Sequence, residues 1–279
     1  MKRVAMASSV AEADDSLSPI VILASGPRCG STLLQRLLCS HSRVLVWGEQ
    51  DGALRSLFGF VRRFNDWKCR WSERVDREIT DFGYDGFIAN LMPPTEALHD
   101  GVRALMLRLF AEPAAALGRP RWGLKEIRYG QAEYQDMLSL FPAAKAVHLT
   151  RDPRRVLTSL AGWQRGHAWT VEAARTAMRR WVDINESFIR TPMPSCLTIR
   201  YETLIAEPHA GLRRIAHWFD IDPAELDHSV FDRRVHQIGG AGKGARDLVT
   251  FTELHPDIRR LVADDHLAEI AHYFGYGTA

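Results

Sequence analysis

An unbroken apolar run, Ile20-Val21-Ile22-Leu23-Ala24, opens into Ser25-Gly26-Pro27-Arg28-Cys29-Gly30 and then into Ser31-Thr32-Leu33-Leu34. The run lacks polar alternation, so it reads as a strand covered on both faces, the kind that parallel sheets contain. Glycines then permit a tight turn, after which Leu33, Leu34, Leu37 and Leu38 recur at helical spacing and belong to the core. A strand, a glycine loop and a helix in that order aim backbone N–H groups and the positive end of a helix dipole at an anion. The sequence thus predicts a phosphate-bearing ligand at the carboxyl edge of a parallel sheet. The loop is not of the ATP-binding type, which ends in Gly-Lys-Ser/Thr. Here Gly30-Ser31-Thr32 has no intervening lysine, and the loop's cation is Arg28. A plain turn with Arg28 in solvent is the weaker reading, because two glycines flank Pro27-Arg28-Cys29.

Further strands are expected at Val44–Trp47, Trp122–Lys125, Ala146–Thr150 and Leu197–Tyr201. Helical periods fall at about 31–40, 131–140, 153–165, 172–190, 207–219 and 255–274. This alternation argues for an α/β domain, a parallel β-sheet flanked by helices. The interval 51–121 differs. It shows no convincing strand and sets Phe58, Phe60, Phe64, Trp67 and Trp71 among arginines and lysines. It reads as a helical insertion after the second strand, packed over the sheet edge and broken in two by Pro93-Pro94. No linker marks a domain boundary, so residues 18–279 are expected to form one domain behind a mobile tail at 1–17.

A hydrophobic fraction of 46% with 25% charged residues allows a sizeable core. A formal charge of +2 gives no reason to expect nucleic-acid binding. No apolar run is long enough for a membrane span, and Glu12, Asp14 and Asp15 interrupt any secretory signal. A cytoplasmic location is the expectation. Cys29, Cys39, Cys69 and Cys196 lack zinc spacing, and the scattered histidines form no ligand pair, so no metal site is expected.

The second signal is Lys145-Ala146-Val147-His148-Leu149-Thr150-Arg151-Asp152-Pro153-Arg154, followed by Ser159. A buried strand ends at Thr150, Asp152 can cap the next helix, and Pro153 suits its first turn. Arg151 and Ser159 can then converge as a second anion site beside the first. Taken alone, Arg151 paired with an acid and Ser159 as a surface hydroxyl fit equally well.

Together the two signals resemble the sulfotransferases that use 3′-phosphoadenosine 5′-phosphosulfate (PAPS), whose fold is P-loop-like. The 5′-phosphosulfate loop of that family is similar to Gly26-Pro27-Arg28-Cys29-Gly30-Ser31-Thr32, and its 3′-phosphate motif to Arg151-Asp152-Pro153-Arg154 with Ser159. Ile199-Arg200-Tyr201-Glu202-Thr203-Leu204 also resembles the family, and the likeness covers roughly residues 18–250. Trp47-Gly48-Glu49-Gln50 resembles the tyrosylprotein branch, which implies Glu49 as catalytic base, with Glu126 as the second candidate. The resemblance further implies that Lys125 holds the transferring sulfonate and that Tyr201 contacts adenine, although a tyrosine there can equally be core. Lys243 and Arg246, in a glycine-rich run, match the family loosely as a clamp on the 3′-phosphate; a simple flexible loop is nearly as good a reading.

The expected activity is transfer of a sulfonate to a hydroxyl of a small-molecule or peptide acceptor, with no metal required. A homodimer is allowed but not indicated. A P-loop kinase of nucleosides or nucleotides, or a catalytically silent nucleotide-binding protein, are the alternatives. The kinase lacks its Gly-Lys-Ser/Thr; the silent binder requires Glu49 and Lys125 to point away from the loop.

Overall fold

The computed structural model describes residues 17–163, 170–232 and 249–277. Its strands are β1 (Ile20–Ala24), β2 (Val44–Trp47), β3 (Arg121–Glu126), β4 (Lys145–Thr150) and β5 (Cys196–Arg200). They form one parallel sheet in the order β2-β3-β1-β4-β5. The helices are α1 (Ser31–Ser40), α2 (Leu54–Phe82), α3 (Thr95–Met106), α4 (Glu112–Ala116), α5 (Gln131–Leu140) and α6 (Pro153–Trp163). They continue with α7 (Val171–Arg190), α8 (Tyr201–Ala206), α9 (Pro208–Trp218), α10 (Pro256–Arg260) and α11 (Asp265–Tyr273).

The central strand explains the continuous apolar run. Ile20, Ile22 and Ala24 point into one core with Leu34 and Leu37 of α1, Trp181 of α7 and Ile270 of α11. Val21 and Leu23 point the other way, into a second core with Phe58 of α2, Met106 of α3 and Tyr134 of α5. Alternate residues of a strand face opposite sides, so a strand covered twice has no polar position. Each such large side chain contributes about 1.5–3 kcal/mol on burial. Because β1 lies between β3 and β4, its carboxyl end sits where the strand order reverses, the place where open parallel sheets leave a ligand crevice.

The insertion is helical and covers the β2–β3 side of the sheet. Phe58, Val61, Val102 and Met106 share a core with Trp122 and Leu124 of β3. The Trp47 indole also donates to the Phe110 carbonyl at 2.9 Å. Its first helix, α2, runs for 29 residues, yet only Leu54, Phe58, Val61 and Val75 of it are buried. Gly83, at φ 61°, ends that helix, and Pro94 is the residue on which α3 begins.

Three sequence expectations need correction. Tyr201 does not end the fifth strand but begins α8: pairing with β4 stops at Arg200, opposite the last residue Thr150. The period at 255–274 is not one helix, because Asp264 takes an extended backbone and its side chain caps α11 through the Leu267 N–H at 3.1 Å. Leu17, expected in a mobile tail, is anchored by its carbonyl, which accepts from the Trp122 indole at 2.8 Å.

Gly123 of β3 pairs with Ile20 of β1 so closely that an added Cβ would stand 2.5 Å from the Ile20 carbonyl oxygen. Gly123→Ala is therefore expected to destabilise the protein by about 1–3 kcal/mol, the usual cost of overpacking. Urea unfolding followed by circular dichroism measures it.

Candidate active site

The loop after β1 is built from alternating backbone handedness. Gly26 (φ 103°), Arg28 (φ 66°) and Gly30 (φ 95°) are all left-handed, and Arg28 is the unusual member because it carries a side chain. Alternation of this kind turns successive N–H groups into one concavity, an anion nest. Gly30 is also the residue on which α1 starts, and no side chain caps that end. The first-turn N–H groups of a helix have no intrahelical partner, so they remain for a ligand. A second constraint acts at Gly30: a Cβ there would stand 2.2 Å from Cδ2 of Tyr201.

The loop's root is fixed from behind. The Ser25 hydroxyl donates to Asn185 Oδ1 at 2.8 Å, and Asn185 Nδ2 donates to the Trp181 carbonyl at 2.9 Å. His148 stands 3.0 Å from the same hydroxyl through Nε2 and is fully buried. Burial pushes this imidazole down to about 3, so it is neutral and donates from Nε2, since the hydroxyl's one hydrogen is already given to Asn185. The Trp181 indole in turn donates to the Arg151 carbonyl at 2.9 Å. This chain of buried polar groups ties the loop after β1 to the loop after β4.

Arg151 closes the tie. Its Nη1 donates to the Arg28 carbonyl at 2.7 Å, its guanidinium lies 4.5 Å from the centre of the Tyr201 ring, and its Nε has no partner among the described residues. Arg28 Nε donates to the Ser159 hydroxyl at 2.9 Å. Arg151 does not pair with Asp152, whose carboxylate instead receives the Arg154 backbone N–H at 2.8 Å and its guanidinium at 3.0 Å. The two motifs thus meet at one cavity of about 460 Å³, lined by Pro27, Arg28, Gly30, Ser31, Thr32, Leu33, Glu49, Ile127, Arg151, Ser159 and Tyr201. That volume suits a nucleotide-sized ligand.

Glu49 lines the same cavity, just beyond β2. Its Oε1 accepts from Lys125 Nζ at 2.6 Å and its Oε2 from Arg128 at 3.1 Å. Burial alone would raise this carboxyl, but the bonds and charges of Lys125 and Arg128 outweigh it and hold the group below the usual carboxylate range. Lys125 is buried behind Glu49 and is not part of the cavity lining, unlike the expectation that it would stand open to the transferring group. Glu126 lies deeper still. Its oxygens accept from the N–H groups of Gly52 and Ile127 and from Arg128, so it ties the β2 loop to β3. Cys29 belongs to the loop but its side chain is buried. Lys243 and Arg246 lie outside the described residues. Asn185 and Trp181 carry no sequence signal as site-building residues, and Arg128 enters from sequence only as a possible partner of Glu126, a contact the structure makes at 2.8 Å.

The family model of the Sulfotransferase family matches residues 19–225, which contain every strand and both loop motifs. The chain belongs to the sulfotransferase family. Protein-tyrosine sulfotransferase A of Caenorhabditis elegans is 24% identical over 221 residues, 76% of this chain and 53% of that protein. Protein-tyrosine sulfotransferase 1 of Danio rerio is 24% identical over 220 residues, 75% of this chain and 56% of that protein. The chain therefore spans little more than half the length of these curated relatives. Among solved structures, the sulfotransferase domain from the Synechococcus PCC 7002 olefin synthase matches with a TM-score of 0.51 and 19% identity, covering 94% of this chain and 96% of that one. That likeness is one of fold. Among the described residues, no group of three or more His, Cys, Asp and Glu could hold a metal ion.

Burial raises the Cys29 thiol to about 12, against a smaller opposing pull from Arg151, so it is no nucleophile at neutral pH. Alkylation at pH 8 is expected to modify exposed Cys69 readily and to spare Cys29, as peptide mass spectrometry would read. Fast modification of Cys29 in the folded protein would contradict the loop geometry.

Proposed function

We propose that this protein transfers a sulfonate from PAPS to an acceptor hydroxyl, with Glu49 as general base. The observation that carries the reading is the single cavity in which Arg28, Arg151, Ser159 and the start of α1 converge with one ionised carboxylate, Glu49. The residues present suit a doubly anionic nucleotide. The nest at 26–30 and the first turn of α1 offer N–H groups to one anionic end, Arg151 and Ser159 stand for the other, and the Tyr201 ring, with the Arg151 guanidinium over it, lines the same cavity. When bound, PAPS supplies an activated sulfonate on a phosphate leaving group.

The chain's own residues supply binding, electrostatics and a proton acceptor. Arg28 and the loop N–H groups stabilise negative charge as it grows on the leaving oxygen, which is electrostatic catalysis by preorganised donors. Glu49 takes the acceptor's proton, a role typically worth ~10²–10⁴-fold. Lys125 and Arg128 keep this carboxylate ionised and aimed. Glu126, with both oxygens engaged by backbone and Arg128, is a positioning residue. A hydroxyl-bearing small molecule or peptide is the acceptor in this reading, and the similarity to protein-tyrosine sulfotransferases supports a peptide.

Calorimetry with adenosine 3′,5′-bisphosphate and with ATP, with and without magnesium, tests the donor. Metal-independent binding of the bisphosphate in preference to ATP is expected; preference for magnesium-ATP would establish the kinase reading instead. A labelled-sulfate transfer screen over phenols, alcohols, sugars and tyrosine peptides then tests turnover. Transfer to none of them would favour the silent binder. Glu49→Gln is expected to lower kcat by ~10²–10⁴-fold while the bisphosphate still binds. Arg28→Ala is expected to abolish turnover, and Arg151→Ala to weaken bisphosphate binding first.

A depressed Glu49 stays ionised into more acidic solution than an ordinary glutamate, so the acid limb of kcat/KM is expected to lie below the pH at which an ordinary glutamate protonates. Lys125→Met removes the largest opposing partner and leaves burial to act, so the acid limb is expected to move to higher pH. A limb that stays fixed in Lys125→Met would reject Glu49 as the base.

A further inference from the structure

We propose that α2 is a membrane-docking element, which lies with one of its sides on a bilayer surface rich in anionic headgroups. The proposal is independent of the chemistry assigned to the cavity. Three rows of residues spaced seven apart run along this helix: Phe60, Trp67 and Arg74; Phe64 and Trp71; and Arg63, Arg70 and Arg77. Seven residues are nearly two helical turns, so the rows lie side by side as one sector, from Phe60 to Arg77 over roughly 26 Å. Between Phe60 and Arg77 that sector holds four aromatic rings and four arginines; in the last turn of the helix the first two rows run on into Asp81 and Glu78. Of the acids in the same stretch, Asp76 lies on the opposite side, whereas Asp66 and Glu73 border the arginine row along its outer edge. Arg55 and Arg62 lie away from the sector and pair with Glu133 and Asp136 of α5.

The sector is open at Phe60 and Trp67 and half-buried at Phe64 and Trp71, where Arg74 also lies 5.0 Å from the Phe87 ring. Phe60 is 51% and Trp67 42% exposed. Arg63, Arg70, Arg74 and Arg77 are exposed and form no ion pair among the described residues. Arg70 stands 5.9 Å from the Trp67 ring, and Arg74 5.8 Å from the Trp71 ring. Apolar rings beside cations on one side of a long helix fit the headgroup boundary, where rings enter the acyl edge and arginines meet lipid phosphates. A second copy of the chain fits less well, since it would set an arginine row against an arginine row. No helix among the described residues is long and apolar enough to cross a membrane, so the helix would lie on the surface and not span it.

Cosedimentation of the full chain with vesicles of phosphatidylcholine alone, or mixed with phosphatidylglycerol, tests this. Binding to the mixed vesicles only, weakened by salt, is expected. Arg63→Gln/Arg70→Gln/Arg77→Gln should lower the partition about a hundredfold, at roughly fivefold for each arginine. Phe60→Ser/Trp67→Ser should lower it as well, while both variants keep the far-ultraviolet dichroism of the parent and its affinity for adenosine 3′,5′-bisphosphate. No sedimentation, or equal sedimentation with neutral vesicles, would overturn the proposal. So would binding untouched by the ring substitutions, which describes a mere anion binder. Light scattering that shows a dimer lost in Phe60→Ser/Trp67→Ser would assign the surface to a second copy.

Discussion

One hydrogen bond, from the Arg151 guanidinium to the Arg28 carbonyl, holds together two loops that the chain contributes 123 residues apart. The sheet brings them near each other, because β1 and β4 are adjacent and parallel and both loops leave the same edge. Adjacency alone does not fix their spacing. The Arg28–Ser159 bond and the buried chain through Ser25, Asn185 and Trp181 do so, from the front and from behind. A guanidinium that spends one arm on the loop still offers the others to a ligand, which is why a single arginine can both build and serve a binding site.

The carboxylate illustrates a second constraint. Glu49 follows β2 and Lys125 is the last but one residue of β3, so their contact depends on the pairing of two neighbouring strands. A glutamate half out of solvent would drift toward its neutral form. Two cations reverse that drift, at the cost of making it a weaker proton acceptor than an unpaired carboxylate would be. Glu49 is thus held toward its ionised form, and how firmly Lys125 and Arg128 hold it sets how readily it accepts a proton.

Much of this was legible in the sequence because it is local. The strand at Ile20–Ala24, the glycine loop and the helix at Ser31–Ser40 follow from apolar period and turn chemistry, and the cap at Asp152 from residue type. Legibility ended where partners lie far apart in the chain. The alternation Leu197-Thr198-Ile199-Arg200-Tyr201 continues a strand on paper, but β4 has no residue left to pair with Tyr201. Lys125 and Glu126 stand side by side in sequence, yet one reaches Glu49 and the other reaches the Gly52 N–H, because alternate strand residues face opposite ways. Aromatic and basic residues marked the insertion as helical, but their grouping along one side emerges only on a helix of unbroken length.

Tyr201 rests directly on the backbone at Gly30, with no room for even a methyl group between them. Its ring therefore works as a shim: the gap between the first loop and the start of α8 is set by the thickness of one aromatic plane. A residue with a smaller side chain at that position would let the two walls close and narrow the opening that Tyr201 lines.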